Sequence, residues 1–78
     1  MKSNRMFGIL SILLDKKQVT AKELAEYFEV SVRTIHRDLL DLSSAGFPVI
    51  TQQGVGGGII VVQLSRQKFK HFIMNRYL

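Results

Sequence analysis

Arg33 and Arg37 stand four residues apart. On a helix that spacing places two guanidinium groups one turn apart on a single face. Thr34 sits beside them, His36 lies on the flank, and Ser31 is at the start of the same stretch. Each residue type suits nucleic acid. Arginine forms paired hydrogen bonds with guanine O6 and N7 or binds phosphate, hydroxyls reach either, and a histidine N–H can donate to a base or a phosphate. Taken alone, two arginines on a solvated helix face are ordinary surface. Their meaning depends on what carries them.

A second chemical candidate is GVGGG at residues 54–58, since glycine clusters can cradle phosphates. A dinucleotide fingerprint requires glycine at the sixth position of GxGxxG, where this chain has Ile59. A P-loop requires Gly-Lys-Ser/Thr, which is absent. Both need a following helix whose N-terminus holds the anion, whereas IIVV reads as a strand. The glycines are better explained as a turn needing positive φ or close backbone approach.

The elements that position these groups follow from periodicity. Met6, Ile9, Leu10, Leu13 and Leu14 keep helical spacing, widened by Phe7 and Ile12, with Ser3 or Asn4 as the expected cap. Thr20-Ala21-Lys22-Glu23 is a capping box that opens a second helix ending near Phe28. Leu24, Ala25 and Phe28 face its core side, while Lys22, Glu26 and Glu29 face water. Ser31 caps a third helix that ends at Gly46, and Pro48 forbids continuation. Val32, Ile35, Leu39 and Leu42 form its inward face, opposite Arg33 and Arg37. Asp38 and Asp41 lie to one side or further along, and Asp38 is expected to orient an arginine. Two β-branched runs around the glycines then predict a hairpin. Residues 65–77 predict a fourth helix with Phe69, Phe72, Ile73 and Tyr77 as its apolar stripe.

Three helices followed by a two-stranded hairpin make a winged helix-turn-helix. The fold class is therefore mainly α with a small β-hairpin, a three-helix core plus a two-stranded wing and a C-terminal helix. Residues 1–62 form the expected winged unit and 63–78 a linker or dimerisation helix. In such a fold the third helix, here 31–45, enters the major groove of double-stranded DNA. The wing, 48–62, lies on the backbone or in the minor groove. Thr20 is first a cap, and the same helix start can also hold phosphate. Gln53 and its neighbouring glycines are the polar groups the wing can offer, because residues 42–64 carry no charge.

The totals bound the alternatives. The chain has 78 residues, enough for one small domain, and its net charge is +5. Residues 1–62 hold seven bases and six acids, so the excess sits in the last sixteen residues at +4. Bulk charge therefore does not establish a nucleic-acid partner. No cysteine is present, which removes disulfides and thiolate metal sites and fits a reducing, cytoplasmic compartment. His36 and His71 have no partners at metal spacing, so neither metal nor other cofactor is expected. No apolar run can span a bilayer, and the basic, apolar start lacks a small-residue cleavage site before Asp15-Lys16-Lys17. Neither a paired acid set nor a nucleophile motif points to an enzyme.

Residues 5–62 closely resemble the N-terminal winged helix of DeoR-type and WYL-domain-type bacterial transcriptional regulators. The resemblance rests on RMFGILSILL, VTAKELAE, VSVRTIHRDL, AGFPV and GVGGG taken as a series. It implies sequence-specific binding to operator DNA. It places Ser31, Arg33, Thr34, His36 and Arg37 against the DNA and Gln53, Gly54 and Gly56 on the wing. It also implies that an effector, if any, binds a larger domain absent from this chain, so that the chain is either an excised DNA-binding domain, the favoured reading, or a stand-alone small regulator. A homodimer is expected, since one winged helix reads only a half-site. His36 stands where the family often has tyrosine, Leu40 where it usually has a polar residue, and the wing lacks its relatives' basic residues. Leu40 and the 69–77 stripe should therefore meet another surface, within the chain or across a dimer. Competing functions are a winged-helix protein-interaction or assembly module and the regulatory end of a biotin protein ligase.

Overall fold

The computed structural model describes residues 2–54 and 59–77. In chain order it contains α1 (Lys2–Asp15), β1 (Val19–Thr20), α2 (Ala21–Phe28), α3 (Val32–Ser44), β2 (Val49–Gln53), β3 (Ile60–Leu64) and α4 (Arg66–Tyr77). Three helices and a small antiparallel sheet enclose one core. Ile9, Leu10 and Leu13 of α1 meet Leu24 and Ala25 of α2, Ile35, Leu39 and Leu42 of α3, and Val62 and Leu64 of β3.

Each helix boundary has a local cause. Thr20 and Glu23 form the reciprocal capping box: the Glu23 N–H donates to Thr20 Oγ1 at 3.0 Å, and the Thr20 N–H donates to the Glu23 carboxylate at 3.0 Å. Those bonds stabilise the charged carboxylate and hold the Glu23 pKa below its usual value. α2 ends with Glu29 in the left-handed region at φ 55°. There the Val30 N–H donates to Ala25 O at 3.0 Å and the Glu29 N–H to Glu26 O at 3.3 Å, a Schellman closure. α3 ends the same way. Gly46 adopts φ 100°, its N–H donates to Ser43 O, and the Phe47 N–H donates to Leu42 O. The glycine expected at this C-terminus is thus in the conformation that selects it.

The sheet contains the expected two-stranded wing, β2 against β3, and one strand more. It has three strands in the order β1-β3-β2. Val19 and Thr20 pair with Val62 and Val61, so the residues just before α2 are strapped to the root of the wing. Two residues are too few for period-2 alternation to show. α1 starts at Lys2, so Ser3 and Asn4 fall inside its first turn and do not cap it. Val32, expected in the core, is 39% exposed; as the first residue of α3 it lines an open groove with Ala21, Ile59 and Ile60. Leu14 and Tyr77, also expected on apolar stripes, are largely exposed.

α4 is anchored at its start and one side. The Ser65 hydroxyl accepts from the Lys68 N–H at 3.4 Å. The Arg66 guanidinium donates to the Leu14 carbonyl at 2.8 Å, a cation on the C-terminal end of α1 where carbonyls are otherwise unsatisfied. Phe47 packs on Phe69 and Phe72, with ring centroids 6.2 and 5.0 Å away. The Arg76 guanidinium lies over the Phe72 ring at 4.8 Å. The expected stripe therefore meets the chain itself at Phe69 and Phe72, whereas Leu40 remains 69% exposed.

Candidate nucleic-acid interface

Ser31 starts the site. Its extended backbone at φ −76°, ψ 158° turns the chain into α3, and its Oγ accepts the Thr34 N–H at 3.1 Å. The two hydroxyls lie 2.9 Å apart, so one donates to the other. A hydroxyl carries one donor and two acceptor positions. Either hydroxyl can be the donor of that pair, so one of the two protons is left for another partner. The pair sits close to the unpaired N–H groups of the first turn.

Arg33 and Arg37 are both exposed on the opposite side of α3 from Ile35, Leu39 and Leu42. Among the described residues neither guanidinium has a hydrogen-bond or ion-pair partner. Ten donors on one face are thus directed only at solvent. A surface pair engaged with neighbouring acids would have to release them before binding an anion; this pair does not.

The roll of α3 is fixed from behind. Among the described residues, Asp38 is the one charged residue in the core, 1% exposed. Arg5 of α1 grips it with two hydrogen bonds, from Nε to Oδ2 and from Nη2 to Oδ1 at 3.1 Å. That contact raises the Arg5 pKa further above its ordinary value, chiefly through the hydrogen bonding with Asp38. The expectation that Asp38 orients an arginine is met, but the arginine is on α1. Sequence spacing contained the signal. Arg5 precedes Ile9 by four and Ile12 by seven, and Asp38 follows Ile35 by three and precedes Leu42 by four. Both charges therefore continue inward stripes and required each other.

The other expected site residues occupy different settings. Thr20, at the root of the sheet and the start of α2, lines a groove of about 420 Å³ with Lys22, Val32, Ile59 and Ile60. Lys22, assigned only to the solvated face of α2, thereby adds a cation next to Thr20. His36 is half-buried in a second groove, about 190 Å³, with Leu39, Leu40, Thr51 and Ile60. Its Nε2 is shielded from solvent and has no hydrogen-bond partner among the described residues. That nitrogen faces the wing side of α3, away from the sector of Arg33 and Arg37. Gln53 is exposed at the end of β2, paired in register with Ile60. The Gly54 N–H donates to the Ile59 carbonyl, and a Cβ at Gly54 would lie 3.3 Å from that oxygen. Close approach, not positive φ, is what glycine supplies there. Gly56 lies outside the described residues.

Among those residues no group of acids and histidines could hold a metal ion. Among the described residues no helix is long and apolar enough to cross a membrane.

Known proteins agree with this architecture. A family model described as an HTH domain matches residues 5–60. The chain is 52% identical over 66 residues to the uncharacterized HTH-type transcriptional regulator YobV of Bacillus subtilis, covering 85% of this chain and 21% of that protein. It is 32% identical over 65 residues to the transcriptional repressor AccR of Agrobacterium fabrum, covering 83% and 24% respectively. The chain thus spans between a fifth and a quarter of the length of these curated relatives. A transcriptional regulator homologue from Pyrococcus horikoshii superposes with a TM-score of 0.69 at 15% identity, over 85% of this chain and 66% of that one. That likeness establishes the fold. With the family model covering residues 5–60, the three helices and the wing assign the chain to the HTH domain family, the helix-turn-helix domain of transcriptional regulators.

Proposed function

We propose that this chain binds double-stranded DNA as the DNA-binding domain of a transcriptional regulator, with α3 in the major groove and the wing on the backbone or in the minor groove. The observation that carries the proposal is the unpartnered pair Arg33 and Arg37 on a helix whose roll is set by Arg5 and Asp38. Arg33 and Arg37 make base-edge or phosphate contacts. Ser31, Thr34, Thr20 and Lys22 hold flanking phosphates at the starts of α3 and α2. Gln53 and Gly56 supply amide donors from an uncharged wing, and Gly54, whose N–H is held by the Ile59 carbonyl, lets the backbone approach closely there. His36 contributes through its outer ring edge, since Nε2 is turned inward. Residues 1–62 carry the DNA contacts, and 63–78 serve as a linker or dimerisation helix in a homodimer that reads two half-sites. The domain performs no catalysis and works in the cytoplasm, and any effector is bound by another domain.

The test is fluorescence anisotropy of a labelled mixed-sequence duplex, titrated with the wild type and with Arg33→Ala/Arg37→Ala at several salt concentrations. The wild type binds in the micromolar range and loses affinity steeply with salt, the signature of phosphate contacts. The double variant, folded by circular dichroism, loses most of that affinity and shows a shallower salt slope. No binding by the wild type at low salt, or binding indifferent to both arginines, would transfer the function to a protein-interaction module or to the basic α4.

A further inference from the structure

Leu40 has no structural reason to be where it is. It is 69% exposed in the middle of α3, and its neighbours Leu39 and Leu42 already supply the inward face. It stands one turn beyond Arg37 and two turns beyond Arg33, so it shares their outward sector, at the border of the groove that holds His36. Behind it the groove formed by His36, Leu39, Thr51 and Ile60 is walled on one side by α3 and on the other by β2 and β3. No charge comes from the wing, because residues 42–64 contain none. An apolar side chain is thus presented beside two free guanidinium groups.

We infer that Leu40 is a specificity-determining residue that packs against the 5-methyl group of thymine in the major groove. This rests on the proposed placement of α3 on DNA. The flanking arginines favour a polyanion over an apolar protein surface, which would have to bury their charges unpaired. Leucine gains nothing from phosphate oxygens or polar base edges. Thymine is the base that offers a hydrocarbon group in the major groove. Arginine selects guanine and leucine selects thymine, so α3 discriminates at more than one base pair without further polar side chains.

The probe is a pool of randomised duplexes, enriched on the wild-type chain, followed by replacement of each thymine in the winning sequence by deoxyuridine. Uracil keeps the hydrogen-bonding edge and the sugar and lacks only the methyl. At one or two positions the wild type loses about fourfold in affinity, the value of burying one methyl-sized group. Leu40→Ala, which leaves the core intact, binds thymine and deoxyuridine duplexes equally at those positions. Equal sensitivity of wild type and Leu40→Ala at every position would overturn the inference while leaving DNA binding standing. That result would assign Leu40 to a sugar contact or to a second protein copy, the latter visible as a mass change in analytical ultracentrifugation. Failure of the wild type to enrich any duplex or bind the unselected pool at low salt would overturn both this inference and the DNA reading beneath it.

Discussion

Removing Arg5 should damage this protein more than removing Asp38, although they are two halves of one ion pair. The asymmetry comes from burial: the Arg5 side chain is 20% exposed and the Asp38 side chain 1%. In Asp38→Ala the guanidinium can turn toward water. What is lost is two charge-assisted hydrogen bonds less the recovered hydration, about 2 kcal/mol. In Arg5→Ala the Asp38 carboxylate remains in the core without its counter-charge, and orphaning a buried charge costs about 3–5 kcal/mol. A chain of 78 residues has roughly 4–12 kcal/mol of total stability. Arg5→Ala therefore consumes between a quarter and all of it. The double variant Arg5→Ala/Asp38→Ala removes the orphan and should be no less stable than Arg5→Ala alone. Urea unfolding followed by circular dichroism reads all four proteins. Additive losses, with the double variant equal to the sum of the singles within about 0.5 kcal/mol, would refute the reasoning.

Four further perturbations address the helix ends. Glu29→Gly relieves a left-handed backbone position and removes a carboxylate from the C-terminal end of α2; it should stabilise the fold by about 1 kcal/mol, read as a thermal midpoint several degrees higher. Gly46→Ala should cost about 1–2 kcal/mol, because alanine is strained at φ 100° and its Cβ would come within 2.8 Å of Phe72 Cε1. The same variant should increase limited proteolysis within α4. Thr20→Ala removes the cap of α2 and should cost about 1 kcal/mol in denaturant unfolding. The Glu23 pKa is lower folded than unfolded, so the carboxylate stabilises the fold above its ordinary pKa of 4.5. The stability gap between wild type and Glu23→Ala should accordingly persist near neutrality and close as pH falls through the lowered folded value.

Capping and periodicity made most of the architecture legible. Thr20, Glu23, Ser31 and Gly46 act locally, so their roles survive without tertiary knowledge. What stayed hidden was set by long-range contact. β1 exists only because Val62 and Val61 lie beside it, and nothing in two residues announces a strand. The partner of Asp38 lay 33 residues away, and inward spacing alone could have nominated Arg5. Val32 belonged to the right periodicity but is the first residue of the helix, where periodicity stops implying burial. At the candidate interface the outward exposure of the two arginines was foreseeable from spacing, whereas the inward turn of His36 Nε2 depends on the groove built by Thr51 and Ile60.

The strand order β1-β3-β2 leaves β2 as the outer strand, with five residues and its last three exposed. Natural sheets usually guard such a margin with lysine, an inward charge or a covering helix. From Val49 to Gln53 there is none of these charges; Pro48 interrupts pairing only at the near end. A row of backbone amides and carbonyls is therefore open to an incoming strand. Addition there would extend the sheet of one molecule into the next through hydrogen bonds that salt does not weaken. Crowded preparations of this domain should thicken by strand pairing along that margin, a behaviour separate in origin and in ionic-strength dependence from anything its arginines do.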